Sequence, residues 1–153
     1  MRIAILAGSA TEITNLLTGC TWSGDIKQAA RKLEFTFVQD DRDPNIPVID
    51  WRCGYTVLGA DDNGEIVFRG NVYSRKIDRK NSSVHIVAYD NLYVLNKSKT
   101  TQKYSNAYPE DIARGVCSLM GVKTGNIATT NCLVSFIANN KSGYQIIQGA
   151  YYL

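Results

Sequence analysis

The chain has 153 residues, a formal net charge of +3 at neutral pH, 44% apolar residues and 20% charged residues. That length fits one domain, or one domain with part of another, and buries about two-thirds of the unfolded surface. The composition is ordinary for a soluble globular protein. So weak a charge lacks the concentrated basic face of a nucleic-acid binder, and no apolar run approaches the ~20 residues of a membrane span.

Ile3 to Ala7 predicts a strand. Arg2 ahead of it imitates a signal peptide, but the apolar core falls short of the roughly 7–15 residues such a segment needs. The stretch also imitates the first strand of a dinucleotide fold, which wants three spaced glycines; Gly8 stands alone. Gly8 to Thr11 reads as a turn. Ile13 to Trp22 reads as strand, because Thr14, Thr18, Thr21 and Trp22 outweigh Leu16 and Leu17. After the break at Ser23-Gly24-Asp25, the stretch to Ala30 is open between helix and extended chain. Leu33, Phe35 and Phe37 then alternate with Lys32, Glu34 and Thr36, a strand from about Arg31 to Val38.

Gln39 to Trp51 reads as a loop. Asp40, Asp41 and Asp43 crowd beside Pro44, but the Asp-x-Asp-x-Asp-Gly frame and closing Glu of a calcium loop are missing, so solvated acids are expected. Tyr55 to Val72 is the strongest local signal. Asp61-Asp62-Asn63-Gly64 predicts a tight turn between two antiparallel strands, since Asn-Gly tolerates the positive φ it needs. Tyr55 and Val57 lead in; Ile66 and Phe68, two apart, lead out on one face. The second arm runs on to Asp78, with a bulge or bend expected at Gly70. Arg79 to Ser82 turns. Ser83 to Tyr89 returns as a strand, with Val84, Ile86 and Ala88 on one face and His85, Val87 and Tyr89 on the other. A lone hairpin is marginal, so these strands must recruit others, and strands bent at glycines tend to close into a small barrel. Asp90 is expected to cap one helical turn, with Leu92 and Leu95 pointing back to that barrel.

The character changes after Lys97. Ser98 to Asn106 is polar and reads as a linker or extended segment. Pro109-Glu110-Asp111 opens a helix with Ile112, Val116 and Leu119 as its buried stripe and Gly121 as its stop. Gly125-Asn126 turns, Cys132 to Ala138 reads as a strand, and Ser142 opens a helix carrying Tyr144, Ile147 and Tyr151. With no stop signal before Leu153, the chain is expected to be part of a longer polypeptide. The fold class is therefore α+β and predominantly β: an antiparallel barrel-like tube domain over 1–97, then the start of a small α/β segment over 98–153.

No constellation carries chemistry. Cys20, Cys53, Cys117 and Cys132 form no Cys-x-x-Cys pair and His85 is the single histidine, so neither metal nor cofactor is expected. The cysteines read as reduced, mostly buried thiols of a cytosolic product. His85 has no nucleophile beside it and reads as a structural strand residue. Glu34, Glu65 and Glu110, the carboxylates a wall hydrolase would need in a cleft, read as a strand face, a hairpin shoulder and a helix start. Catalytic, cofactor-binding and metal-binding residues are thus all expected to be none.

The order of several weak motifs is more specific. Thr21-Trp22-Ser23-Gly24-Asp25 with Gln28-Ala29-Ala30-Arg31-Lys32-Leu33-Glu34-Phe35 resembles the opening of contractile-tail baseplate hub proteins of phages, phage-like prophage elements and phage-tail-like bacteriocins. Phe68 to Val72, Ala88 to Leu92, Leu95 to Ser98, Pro109 to Ile112, Gly121-Val122, Gly125 to Ile127 and Lys141 to Ile147 continue the likeness in order. Tyr108 departs from it, standing where such proteins tend to carry a threonine cap, and the family runs well beyond the equivalent of Leu153. The resemblance implies a non-enzymatic homotrimeric hub that adapts the hexameric tail tube to the trimeric central spike. Its partners would be further copies of itself, tail tube protein, spike protein and other baseplate proteins, with no membrane. Its place would be a virion baseplate or tail-like particle assembled in the bacterial cytoplasm. Tyr73, Tyr89 and Tyr93 are candidate interface anchors.

The competing reading is an OB-like barrel that stacks single-stranded nucleic acid on Tyr73, Tyr89 or Tyr104 beside Arg75 and Lys76. Against it, Asp78 interrupts the Arg75-Lys76-Arg79-Lys80 cluster, and solvated hairpin ends account for that cluster and for Lys97, Lys99 and Lys103.

Overall fold

The computed structural model describes residues 1–7, 9–25, 28–40, 42–49 and 51–152. The fold is α+β and predominantly antiparallel β, with its helices toward the C-terminus. It divides into two units, one of residues 1–25 and 30–91, the other of 26–29 and 92–153.

The first unit is one sheet. Its strands are β1 (Arg2–Leu6), β2 (Ala10–Glu12), β3 (Leu17–Ser23), β4 (Lys32–Val38), β5 (Thr56–Ala60), β6 (Ile66–Asp78) and β7 (Ser83–Asp90). They run in the order β2-β1-β5-β6-β7-β4-β3, every neighbour antiparallel. The sheet curls into a half-barrel. Among the described residues no pairing joins β2 to β3, so the expected curl is present while two edges stay open.

Period-two alternation puts Ile3, Ile5, Leu33, Phe35, Phe37, Val57, Phe68, Val72, Val84, Ile86 and Ala88 into one core. The loop after β4 contributes to it as well. Trp51, read from sequence as the end of a loop, is 1% exposed and stacks on Phe37 and Phe35 at ring separations of 4.5 and 5.9 Å. Its carbonyl accepts from the Arg75 guanidinium, which fixes the loop to β6.

Three local expectations change. A single 3-10 turn at Thr14–Leu16 precedes β3, where continuous strand was expected from Ile13. The Thr14 hydroxyl accepts the Ile3 amide at 3.1 Å and donates to Glu12 at 2.8 Å, so the chain turns around β1 and seats Ile13 in the core. In the hairpin, Asp61 Oδ1 accepts the amides of Asn63 and Glu65, both at 2.9 Å, and Gly64 adopts φ +87. The register then slips between Gly59–Phe68 and Ala60–Ile66, leaving Val67 as an extra residue. Ile66 and Phe68 therefore part company: Phe68 is buried, Ile66 61% exposed. The bend expected at Gly70 lies instead at Tyr73, the extra residue between Val72 and Ser74. Gly70 keeps its register and serves close packing. A Cβ there would lie 2.7 Å from Phe68 Cζ and run into the Tyr89 carbonyl.

The second unit holds α1 (Tyr93–Lys97), β8 (Lys99–Ala107), α2 (Pro109–Leu119), β9 (Val134–Ser142) and α3 (Gly143–Tyr152). The Asp90 carboxylate accepts the Arg31 amide at 3.1 Å, and α1 has no side-chain cap. Leu92 is half exposed, and Leu95 packs among Ile112, Val116, Val134 and Ile146 rather than on the sheet of the first unit. Residues 99–107, expected as a linker or extended segment, take the extended alternative, a strand paired with β9 in which Thr100, Gln102 and Tyr104 alternate inward. The strand expected from Cys132 begins at Val134.

Pro109 opens α2 at its first turn, and Gly121, φ +70, ends it while Val122 donates to the Cys117 carbonyl at 2.8 Å. The stripe is Ile112, Ala113, Val116 and Cys117, with Met120 packed on it in the place expected for Leu119, which is exposed. In α3, Ser142 and Gln145 cap each other: each side chain accepts the other's amide, at 3.1 and 3.2 Å. Its buried stripe is Gly143, Ile146 and Ala150, with Tyr144 and Ile147 alongside. No described helix is long and apolar enough to cross a membrane.

Candidate assembly surface

Several of the polar side chains that could carry chemistry have structural partners. His85 Nδ1 lies 3.1 Å from Thr36 Oγ1, its cross-strand neighbour on β4. Glu34 pairs with Lys32 on the same strand at 3.1 Å. Asp40 accepts from Arg42 Nε and Nη2, both at 2.9 Å, and from Ser82 at 3.2 Å, which holds its carboxyl well below the usual range. Asp43 accepts the backbone and side-chain N–H of Asn45, while Asp41 lies outside the described residues. Among the described residues no group of three or more His, Cys, Asp or Glu is placed to hold a metal ion. The thiols correct an expectation: Cys117 is buried, but Cys20, Cys53 and Cys132 are exposed.

Glu110 is buried at the start of α2. Its own backbone N–H, then the hydroxyl and amide of Thr130, hold its carboxyl below the usual range. A depressed folded-state value means that this stabilisation is complete above the ordinary carboxylate range and is lost as pH falls through the lowered value. Glu110→Gln is therefore expected to flatten the acid limb of the stability curve. Urea midpoints at about pH 7 and about pH 3 would check it; an unchanged loss of stability between them would refute the assignment.

The aromatic residues named for base stacking are not equivalent. Tyr73 is half exposed and meets Tyr89 edge-on, rings 5.5 Å apart at 83°. Tyr104 packs on Phe136 at 5.1 Å, and its hydroxyl donates to Gln102 at 2.6 Å, so its ring is no open platform. Tyr93 carries Lys97 over its ring at 5.5 Å.

What the surface offers is edges and apolar side chains. β3 is exposed from Thr18 to Ser23 and pairs on one side only, with β4. Trp22 stands there, 44% exposed, with the Arg31 guanidinium 5.6 Å from its ring. At one end of the sheet a depression of about 340 Å³ is lined by Gln39, Asp40, Arg42, Ile77, Asp78 and Arg79. In the second unit a groove of about 460 Å³ runs between Gln102, Tyr104 and Ala107 on one wall and Gly115, Ser118 and Leu119 on the other. Strand edges and grooves of this kind bind other chains through backbone pairing and side-chain insertion.

Residues 20–153 match the model of the YQBQ-like family. Among solved structures, the chain is similar to the prophage MuSo2 43 kDa tail protein from Shewanella oneidensis, with a TM-score of 0.67 and 15% identity over 98% of this chain and 48% of that one. It is likewise similar to the tail protein from Neisseria meningitidis MC58, with a TM-score of 0.67 and 15% identity over 95% of this chain and 43% of that one. The chain thus spans less than half the length of either, and at such identity the likeness is one of fold. A search of curated proteins finds no match.

Proposed function

The chain belongs to the YQBQ-like family, and from that premise we propose that it is a structural, non-enzymatic part of a phage or prophage tail. The observation that carries this reading is the curled antiparallel sheet it shares with two tail proteins, in a chain whose His85 and Glu34 are engaged structurally and whose strand edges, among the described residues, are open.

In its finer form, the proposal is a baseplate hub subunit of a contractile tail. Three copies would form a collar between the hexameric tube and the trimeric spike, assembled in the bacterial cytoplasm and carried on the virion or tail-like particle. The sheet units would supply a rigid wall, and the open edges and exposed side chains the contacts between subunits. Light scattering on the full-length polypeptide at micromolar concentration is expected to give a trimer, and micrographs of intact particles a threefold ring at the tube's end. A monomer by scattering would count against the hub.

A further inference from the structure

The near-neutral total charge conceals a separation. Of the 17 basic and 14 acidic residues, the sheet unit holds ten and twelve, and the second unit seven and two. The first is therefore net −2 and the second net +5. The second unit's two acids are already used: Glu110 closes on Thr130, and Asp111 pairs with Arg114 at 3.6 Å. Among the described residues, its lysines have no side-chain carboxylate left in their own unit.

Two of those lysines stand on a sheet face. Lys99, Thr101 and Lys103 are the exposed, outward positions of β8. Ile137 on β9 pairs with Lys103 and is 69% exposed. No aromatic side chain lies at these outward positions, since Tyr104 and Phe136 pack inward together. An exposed isoleucine opposite a lysine, on a strand face with a second lysine and no stacking rings, suits a carboxylate-bearing protein surface better than single-stranded nucleic acid.

The sheet unit carries the complementary feature at the β5–β6 turn. Asp61, Asp62 and Glu65 fall within five residues beside Ile66, 61% exposed. Asp61 is spent on the turn's own amides. Asp62 meets only the N-terminal ammonium, at 3.2 Å, and its side chain is 95% exposed. Charge and apolar exposure thus match on the two surfaces: two exposed acids with an isoleucine, and two exposed lysines with an isoleucine.

We infer that the Asp62–Glu65–Ile66 turn of one copy docks on the Lys99–Lys103–Ile137 face of another. The contact is head-to-tail, so repetition builds a ring if the rotation closes and a filament if it does not. It deepens the proposed assembly role and rests on it.

The test is a charge-reversal cycle on the whole chain, read by light scattering with circular dichroism as the check on folding. Lys99→Glu with Lys103→Glu, and Asp62→Lys with Glu65→Lys, are each expected to weaken self-association by about tenfold or more. An equimolar mixture of the two double variants is expected to associate again, and wild-type association to weaken as salt rises. Carbodiimide cross-linking of isotope-mixed wild-type chains needs no variant and should join Lys99 or Lys103 to Asp62 or Glu65 across chains. Association that survives both reversals, or lacks those cross-links, overturns this contact and leaves the assembly role standing. A monomeric wild type overturns both. Binding of fluorescein-labelled oligothymidine that is lost on lysine reversal, with association unchanged, overturns the contact in favour of a nucleic-acid face.

Discussion

Trp51→Ala is expected to destabilise the sheet unit by about 3–5 kcal/mol, the usual cost of emptying a buried tryptophan site. Stabilities of single domains run to only about 5–15 kcal/mol, so the variant should sit near the edge of folding. The mechanism is specific. Trp51 is buried in the core of the sheet unit against Phe35 and Phe37, and its carbonyl is the anchor for Arg75. Its indole N–H finds no acceptor among the described residues, and an unsatisfied buried donor costs about 1–3 kcal/mol. Trp51→Phe keeps an aromatic ring in the site and discards that donor, so it should cost less than half as much as alanine. Urea unfolding followed by circular dichroism checks both. An alanine variant within about 1 kcal/mol of wild type would mean that the loop does not belong to the core.

The second large effect is expected from adding a single carbon at Gly70. β6 has β5 on one side and β7 on the other, so it cannot move out of the way. A Cβ would lie 2.6 Å from the Tyr89 carbonyl carbon and 2.7 Å from the Phe68 ring. Overpacking costs about 1–3 kcal/mol when side chains can yield; backbone yields less, so Gly70→Ala should lose about 3 kcal/mol or more and accumulate in the insoluble fraction. Gly19→Ala is the control. Gly19 lies on edge strand β3 with nothing within 4 Å of an added Cβ, and its cost should stay within about 0.5 kcal/mol. Equal stabilities for the two variants would refute the packing argument.

The sheet was legible because its signal is local and repeated. Leu33, Phe35 and Phe37, then Val84, Ile86 and Ala88, alternate without interruption, and burial on one face follows from the pleat. What escaped reading depends on partners far along the chain. Nothing near Trp51 says that it folds back onto β4. The slips at Val67 and Tyr73 are set by register against β5 and β7, and the glycine that attracted attention, Gly70, was needed for space. Residues 99–107 stayed open between linker and extended segment because their inward side chains are polar or small and gain burial only once α2 lies across them. Leu95 was assigned to the wrong core for the same reason. The lysines at 97, 99 and 103 were visible, but their meaning required knowing that Lys99 and Lys103 share an exposed strand face while the unit's two acids are occupied elsewhere.

The strand order has a kinetic consequence. β5, β6 and β7 are consecutive neighbours and can pair as soon as they leave the ribosome; β1 and β4 have local partners in β2 and β3, but β1 joins the rest of the sheet only through β5, and β4 only through β7. Non-local pairings of this sort place folding in the millisecond-to-second range, and translation itself proceeds at only about 5–20 residues per second. For several seconds, then, the nascent chain carries Ile3, Ile5, Phe35 and Phe37 without the β5, β6 and β7 side chains that complete their core. The interval before β7 emerges is when a chaperone would matter most to the yield of this protein.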